Sequence, residues 1–298
     1  HSGIIRVLFK ADSNDNVIVV TNQCNCNCIM CPDAPNVRTV NNNVALDKLL
    51  KLINLIDKDA MNMCITGGEP TLLKSELFTL LSHCKRTLPH TNFMMLTNGR
   101  MFCYKKYALH YHNSRPEKML TAVAVYGHTA HLHDSITNEK GSFNQTINGL
   151  MNLYSLNERL EIRIVVSKLN YKELLNICKM IVSLFPNIYR VNIMGLEMLG
   201  NAVINKEAVW IDFDELKEYV QDAIMYLLKN GIQAYLYNFP LCKIDEKLWS
   251  VCIKSISDYK VRYFDDCSDC DVMSHCGGFF NSTIRMKDIR VNPIRCEV

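Results

Sequence analysis

Several kinds of segment are missing from this 298-residue sequence. No run of 18 apolar residues is present, so we expect no membrane-spanning helix. No charged segment followed by an apolar one opens the chain, so we expect no secretion signal. No run of five or more Lys and Arg residues indicates a nucleic-acid surface, and no internal repeat is evident. These absences favour a cytoplasmic protein with one large domain, or one domain with an appendage.

Cysteine, by contrast, is abundant, with 14 residues. In secreted proteins such a number indicates a disulfide scaffold, but those scaffolds are small and rich in loops, whereas periodic elements run through most of this chain. Reduced, metal-binding thiols are the better interpretation. The formal charge of +3 is small, and the negative charge of metal-binding thiolates would offset it. The charge therefore gives no support for a nucleic-acid partner.

The stretch Asn22–Asn36 contains three cysteines in C-x3-C-x2-C spacing, Cys24, Cys28 and Cys31. Three thiolates on one short loop can hold three irons of a 4Fe–4S cube and leave the fourth iron open to a small molecule. A structural zinc site needs a fourth ligand, and the next thirty residues contain no His or Cys. Cys26 is interpreted as a spectator, that is, a cysteine that does not bind the cluster, because a ligand set that includes it has no better spacing than the other three cysteines alone.

Two turn motifs follow apolar, strand-like runs downstream of this loop. The first begins 36 residues after Cys31 and reads Gly67-Gly68-Glu69-Pro70, and the second reads Thr97-Asn98-Gly99. Taken alone, each is an ordinary turn signal. Together with the cysteine triple, the first turn resembles the radical S-adenosylmethionine (SAM) enzymes. Their partial (β/α)6 barrel carries the cysteines after strand 1 and a GGEP-type turn after strand 2.

The resemblance implies a cofactor set and an activity. SAM would chelate the open iron of the first 4Fe–4S cluster through its amino and carboxylate groups. An electron from the cluster would then break a carbon–sulfur bond and give the 5′-deoxyadenosyl radical. The cofactor carries this chemistry, while the protein supplies position, electronics and shelter. A reductant such as flavodoxin or ferredoxin is implied as a partner.

The resemblance also implies a set of SAM-binding positions. The two glycines would let the backbone approach the amino-acid end of SAM, and the glutamate after them would accept a hydrogen bond from its ammonium group. Other positions would contact the ribose, line the adenine pocket or bind the carboxylate; for the arginine assigned to the carboxylate, a solvated charge at a strand end is the alternative. The predicted set is Met30, Gly67, Gly68, Glu69, Pro70, Thr97, Asn98, Arg163, Met194 and Leu196.

Apolar periodicity predicts alternating strands and helices, and hence an α/β protein with parallel strands. Their sequential order favours a barrel, and the resemblance implies a partial, TIM-like one. The predicted strands are Val17–Thr21, Asn62–Thr66, Thr91–Leu96, Met119–Tyr126, Leu160–Val166, Tyr189–Met194 and Ile232–Tyr237; helices are predicted around 46–56, 77–88, 143–154, 174–182 and 213–228. The polar stretch Tyr126–Gly141, which holds His128, His131 and His133, is predicted to be a solvated or substrate-contacting loop, with a metal site as the alternative.

The tail of the chain contains a second group of cysteines, Cys242, Cys252, Cys267, Cys270 and Cys276. Such a group indicates a metal site, with zinc as an alternative. The C-x2-C-x5-C spacing resembles the SPASM/Twitch auxiliary-cluster domain of peptide-modifying radical SAM enzymes, which implies a second 4Fe–4S cluster.

The predicted auxiliary ligands are Cys242, Cys267, Cys270 and Cys276. Cys242 is preferred to Cys252 because a strand end holds a ligand more rigidly than a helical run predicted at 246–256. Cys296 is left out because chain ends are often frayed. Phe280 replaces a further ligand of the fuller family pattern, which favours one auxiliary cluster. We divide the chain into an N-terminal segment (1–16), the barrel (17–231) and the auxiliary domain (232–298).

The runs CNCNCIMCP, LEMLGNA and CGGFF resemble more narrowly the C-type radical SAM maturase of the His-Xaa-Ser system. This resemblance implies a peptide or small-protein substrate, modified by hydrogen abstraction, and a partner radical SAM enzyme. A small-molecule radical SAM dehydrogenase or isomerase, and a metal-binding adaptor without turnover, are the alternatives. The two turn motifs count against the adaptor, since they have no purpose in it.

Overall fold

A computed structural model describes residues 9–10, 13, 16–33, 43–285 and 289–296; most of the predicted N-terminal segment lies outside these residues. The described residues form an eight-stranded sheet in the order β1-β2-β3-β4-β5-β6-β7-β8, so that strands consecutive in sequence are neighbours in the sheet. The strands are Val17–Val19 (β1), Asn62–Thr66 (β2), Asn92–Thr97 (β3), Met119–Ala124 (β4), Leu160–Val165 (β5), Arg190–Met194 (β6), Ala234–Tyr237 (β7) and Cys252–Ile253 (β8).

The recorded pairings within this sheet are parallel, as the alternating pattern predicts. A separate antiparallel pair joins Val261–Arg262 (β9) to Phe279–Phe280 (β10). The α-helices are Leu46–Leu55 (α1), Ser75–Thr87 (α2), Lys105–Ser114 (α3), Ala130–Thr137 (α4), Ser142–Ser155 (α5), Leu174–Leu184 (α6), Asn201–Ile204 (α7), Lys206–Val209 (α8), Phe213–Lys229 (α9) and Asn281–Ile284 (α10). The predicted α/β class with a partial barrel is confirmed.

Burial explains why the sheet forms. In β2, Met63 and Ile65 are buried, while the alternate residues are half-buried. The side chains of a strand point alternately to its two faces, so one face of each strand packs against helices and the other is left for the interior of the barrel. Helix α1 buries Leu49 and Ile53, one turn apart, as its apolar period predicts.

Two segments differ from their predictions. The stretch predicted as a loop contains α4, which begins after Thr129, whose hydroxyl accepts a hydrogen bond from Leu132 N, and ends at Asn138 in the left-handed conformation. The helical run predicted at 246–256 is a 3₁₀ turn, Glu246–Val251, followed by β8. End signals decide the structure of the first segment, and the pairing of Cys252 and Ile253 with β7 decides that of the second.

The described chain forms two compact units. One runs to Asn25 and includes 35–123 and 144–160; the other includes 26–34, 124–143 and 161–298. The first contains β1–β3 with α1–α3, and the second contains β5–β10 with α6–α10. Among the described residues, no helix is both long and apolar enough to cross a membrane.

Candidate functional site

The beginning of the cysteine loop belongs to the first unit, where polar side chains hold it. The Asn98 amide donates to Asn25 Oδ1 over 2.6 Å, and its Nδ2 is 4.0 Å from Cys24 Sγ. The guanidinium of Arg100 donates to the carbonyl of Asn25, and its Nε donates to Gln145 Oε1 over 2.7 Å. An amide donor beside a cysteine sulfur stabilises the thiolate form that an iron cluster needs.

The rest of the loop belongs to the second unit and is clamped by α7 and the residue after it. Asn201 N donates to Cys31 O over 2.8 Å, and Asn201 Nδ2 donates to Cys28 O over 2.9 Å. The Asn205 amide donates to Ile29 O over 2.9 Å. Three carbonyls of the cysteine loop are thus fixed by two asparagines that sequence reasoning missed. A signal existed, because Asn201 lies in the LEMLGNA run.

We expect Asn201→Ala to make the iron site of this loop labile. The substitution leaves the partly buried Cys28 carbonyl without its amide donor, a loss of about 1 kcal/mol. The measurement is the rate at which a chelator removes iron from the reconstituted protein. The matched control is Asn152→Ala, because the Asn152 amide donates to the carbonyls of Phe102 and Cys103 instead. Equal rates in the two variants would contradict the clamp.

The carboxylate of Glu69 is completely buried and connects two turns of the first unit. Its Oε1 accepts from Thr71 N and Oγ1 over 3.1 and 2.6 Å and from Thr97 Oγ1 over 2.6 Å, and its Oε2 accepts from Asn98 N over 2.6 Å. Burial raises the pKa of Glu69, and these hydrogen bonds oppose the rise. The structure therefore gives Glu69, Thr97 and Asn98 an architectural role, while their contacts with SAM stay predictions.

The glycines of the first turn have a close neighbour in the backbone after β1. A Cβ on Gly67 would lie 2.3 Å from Thr21 O, and one on Gly68 would lie 2.2 Å from Gln23 O. The carbonyls of Thr21 and Gln23 accept hydrogen bonds from Gly68 N and Glu69 N. Glycine is required here because two backbones touch. Pro70 begins a 3₁₀ turn, Pro70–Leu73, where its missing N–H costs nothing.

Two of the residues predicted to line the adenine pocket lie in one apolar cluster of the second unit. Met30 and Leu196 are buried there together with Met198. Met194 ends β6 and is half-buried. The clustering fits an apolar wall for a flat ring, and the contact of Met30, Met194 and Leu196 with adenine stays a prediction.

The alternative interpretation of Arg163 as a solvated charge at a strand end is wrong. Arg163 lies inside β5, its side chain is 19% exposed, and its Nε is 2.5 Å from Glu161 Oε1. The other oxygen of this buried carboxylate is 2.5 Å from Arg190 Nε. Glu161 therefore orients both guanidinium groups, and binding of the SAM carboxylate by Arg163 stays a prediction.

The histidine stretch contains a helix where its polarity predicts a loop; His131 is exposed, and contact of the stretch with a substrate stays a prediction. His133 lies in α4 and is 1% exposed, and its ring Nδ1 accepts from Tyr126 N over 3.2 Å. The His133 ring also contacts the rings of Tyr126 and Phe143. Among the residues that the structure describes, no three His, Cys, Asp or Glu side chains meet at the spacing of a single-ion site.

In the tail, the four predicted auxiliary ligands line one partly open cavity. Cys252 is not among its lining residues, and its thiol donates to Leu248 O over 3.5 Å. The predicted placement of these two cysteines is nevertheless wrong, because Cys242 lies in a 3₁₀ turn, Leu241–Lys243, and not at a strand end, and Cys252 begins β8. The cavity still supports Cys242 as the ligand, because Cys242 lines it and Cys252 does not. Cys296 is exposed.

Backbone amides point at the sulfurs of this cavity. Cys276 Sγ accepts from Leu241 N and Gly278 N, each over 3.4 Å, and Cys270 Sγ accepts from Ile294 N over 3.4 Å. Hydrogen bonds of this kind surround the cysteine ligands of iron–sulfur clusters and tune their potentials. The four sulfurs and their amide donors therefore fit an iron–sulfur cluster in their chemistry.

Two thiols of this cavity, Cys242 and Cys267, lie where burial favours the protonated form. Burial raises the pKa of Cys242 and of Cys267. A hydrogen bond with the backbone of Asn292 opposes this rise in the pKa of Cys242, and one with the backbone of Phe264 opposes it in the pKa of Cys267. Metal binding would therefore release protons, since iron binds the thiolate.

Comparisons with known proteins agree with this geometry. A family model described as a 4Fe-4S single cluster domain matches residues 16–148. Among solved structures, SuiB of Streptococcus suis bound to precursor peptide SuiA has a TM-score of 0.60 and 16% identity, and the match covers 74% of this chain and 48% of SuiB. The chain has the fold of a radical SAM core.

Other matches to this radical SAM core have similar statistics. Native anSMEcpe with bound AdoMet and Cp18Cys peptide has a TM-score of 0.58 at 14% identity, covering 74% of this chain and 62% of that one. TYW1 with a lysine-pyruvate adduct has a TM-score of 0.50 at 14% identity, covering 70% and 72%. No curated protein matches the sequence. The chain spans about half the length of SuiB, and these identities establish the fold alone.

Proposed function

We propose that this protein is a radical SAM maturase that modifies a ribosomally made peptide or small protein by hydrogen abstraction. The observation that carries the proposal is the C-x3-C-x2-C loop directly after β1 of a radical SAM core. Cys24, Cys28 and Cys31 would hold the first 4Fe–4S cluster, which supplies the electron that cleaves SAM. The proposal includes the peptide or small-protein substrate, a reductant such as flavodoxin or ferredoxin, and a location in the cytoplasm.

The residues around the loop have separate tasks in this function. The amides of Asn98 and Asn201 hold the loop on which the three thiolates lie. Buried Met30 and Leu196 exclude water from the place proposed for adenine. Shelter matters because a reactive radical is quenched by any group that it meets before its target. A peptide would enter at the carboxyl ends of the strands, where barrel enzymes bind their substrates.

The tail supports a peptide rather than a metabolite as the substrate. Four cysteines around one cavity would hold an auxiliary cluster, which can accept the electron left on an oxidised residue. The neighbours SuiB and anSMEcpe were solved with peptides bound. The resemblance of three sequence runs to the His-Xaa-Ser system makes its repeat proteins the substrates to test first, together with a partner radical SAM enzyme.

The test is anaerobic reconstitution with iron and sulfide, followed by incubation with SAM, dithionite and a synthetic peptide of His-Xaa-Ser repeats. We expect 5′-deoxyadenosine to form and the peptide to lose about two mass units by removal of two hydrogens. Chromatography measures the nucleoside, and mass spectrometry measures the peptide. A protein that cleaves no SAM would refute the proposal. One that cleaves SAM and is stimulated by a metabolite but by no such peptide would be a small-molecule enzyme.

A further inference from the structure

Asn192 on β6 is a completely buried side chain whose amide is unpaired. Within the described part of the chain, neither its Nδ2 nor its Oδ1 has a hydrogen-bond partner. Buried amides in native proteins are nearly always paired with protein or water, because an unmade hydrogen bond is costly. A position that keeps such an amide needs a partner from outside the chain.

The side chain of Asn192 points to the inner face of the sheet. Its neighbours Val191 and Ile193 are completely buried on the opposite face of the strand, and α9 packs against β6. Asn192 is in register with Arg163 on β5 and Tyr235 on β7. In a barrel, this face surrounds the space that leads to the active site.

The carboxyl end of β6, beyond Asn192, is less buried than Asn192 itself. Two residues further along β6, on the same face, lies Met194, in register with Val165 and Tyr237. All three of these side chains are half-buried, so the row above Asn192 reaches solvent. Met194 is also a residue predicted to contact adenine. Asn192 is therefore one row below the surface on which SAM and substrate are proposed to bind.

We propose that Asn192 binds a ligand group that presents a hydrogen-bond donor and an acceptor side by side. An asparagine amide offers one acceptor and two donors in a plane, so a carboxylate would pair only with Nδ2 and an ammonium only with Oδ1. An adenine edge pairs with both, and so do the N–H and C=O of one residue in an extended peptide. The inference rests on the proposed function, which supplies adenine from SAM and amides from the peptide.

The first arm of the test is the thermal unfolding of ligand-free protein carrying Asn192→Leu. An apolar isostere removes an unpaired polar group, so the melting temperature is expected to stay the same or to rise. The matched control is Asn170→Leu. Asn170 is also completely buried, but its Oδ1 accepts from Ser167 N over 2.8 Å and its Nδ2 donates to Val165 O over 3.0 Å. The control is expected to melt at a lower temperature.

The second arm measures binding and turnover of reconstituted Asn192→Leu. If adenine is the partner, the Kd of S-adenosylhomocysteine rises about tenfold, the loss of roughly one good hydrogen bond. If the backbone of the peptide is the partner, the Kd of S-adenosylhomocysteine is unchanged and the KM for a His-Xaa-Ser peptide rises about tenfold.

Two results would overturn the role of Asn192. One is a fall in melting temperature as large as that of Asn170→Leu, which would assign Asn192 a structural role. The other is a variant in which both the Kd and the KM equal those of the wild type. Wild-type protein that binds neither S-adenosylhomocysteine nor SAM would refute the proposed function itself, and the unfolding arm would still report whether the amide is unpaired.

Discussion

Replacing Cys24, Cys28 and Cys31 together by alanine is expected to remove about four iron atoms per chain and to abolish SAM cleavage. With all three thiolates gone, no ligand of the loop holds the iron to which SAM would bind. Loss of the electron donor stops the reaction completely, whereas loss of a binding contact would only slow it. Iron analysis of the reconstituted protein and chromatographic assay of 5′-deoxyadenosine measure the two effects.

The matched control is Cys26→Ala on the same loop. Cys26 is 5% exposed and is interpreted as a spectator, so this variant should keep its iron and its SAM cleavage. If Cys26→Ala loses as much iron as Cys28→Ala, the assignment of ligands within the loop is wrong. If the triple variant still forms 5′-deoxyadenosine, the proposed cluster site is refuted.

Wild-type protein is expected to hold about eight iron atoms per chain. Replacing Cys242, Cys267, Cys270 and Cys276 by alanine should remove about four of them. SAM cleavage should remain measurable, because the first cluster does not depend on these ligands. Modification of the peptide should stop, because the electron left on the substrate then has no acceptor. Iron analysis, Mössbauer spectroscopy and peptide mass spectrometry check the three expectations.

Cys252→Ala is the matched control for the tail. The side chain is half-buried in the same part of the chain but does not line the cavity, so its loss should leave the iron content unchanged. A loss of iron as large as that of Cys242→Ala would replace Cys242 by Cys252 in the ligand set. About four irons together with one zinc per wild-type chain would refute the auxiliary cluster in favour of a zinc site.

Local patterns were enough to predict most of the fold. β2 occupies the predicted span Asn62–Thr66, because a short apolar run between turn residues has few alternatives. The helix predicted at 213–228 forms as α9, with Asp212 as its N-cap. The GGEP-type turn and the cysteine spacing predicted the radical SAM core, because each is a local sequence feature.

The remaining features depend on contacts between distant parts of the chain. Asn201 meets Cys28 across more than 170 residues, and no periodicity reports such a pair. The face of β5 that carries Glu161 is polar because Arg163 and Arg190 complete its hydrogen bonds. The sequence shows one carboxylate and two cations there but not that they pair. The sequence therefore shows which types of residue a site contains more readily than it shows which of them form hydrogen bonds or ion pairs with each other.

The wall of the tail cavity combines Cys242 with Asn292, fifty residues further along the chain. A ribosome produces the three cysteines of the first loop within eight codons of each other, early in synthesis, but it completes the tail cavity only after Asn292 has been added. Iron carriers that meet the nascent polypeptide would therefore find the first site long before the second. Insertion of the auxiliary cluster is expected to follow translation, and premature termination before this point would leave its four thiols exposed to oxidation.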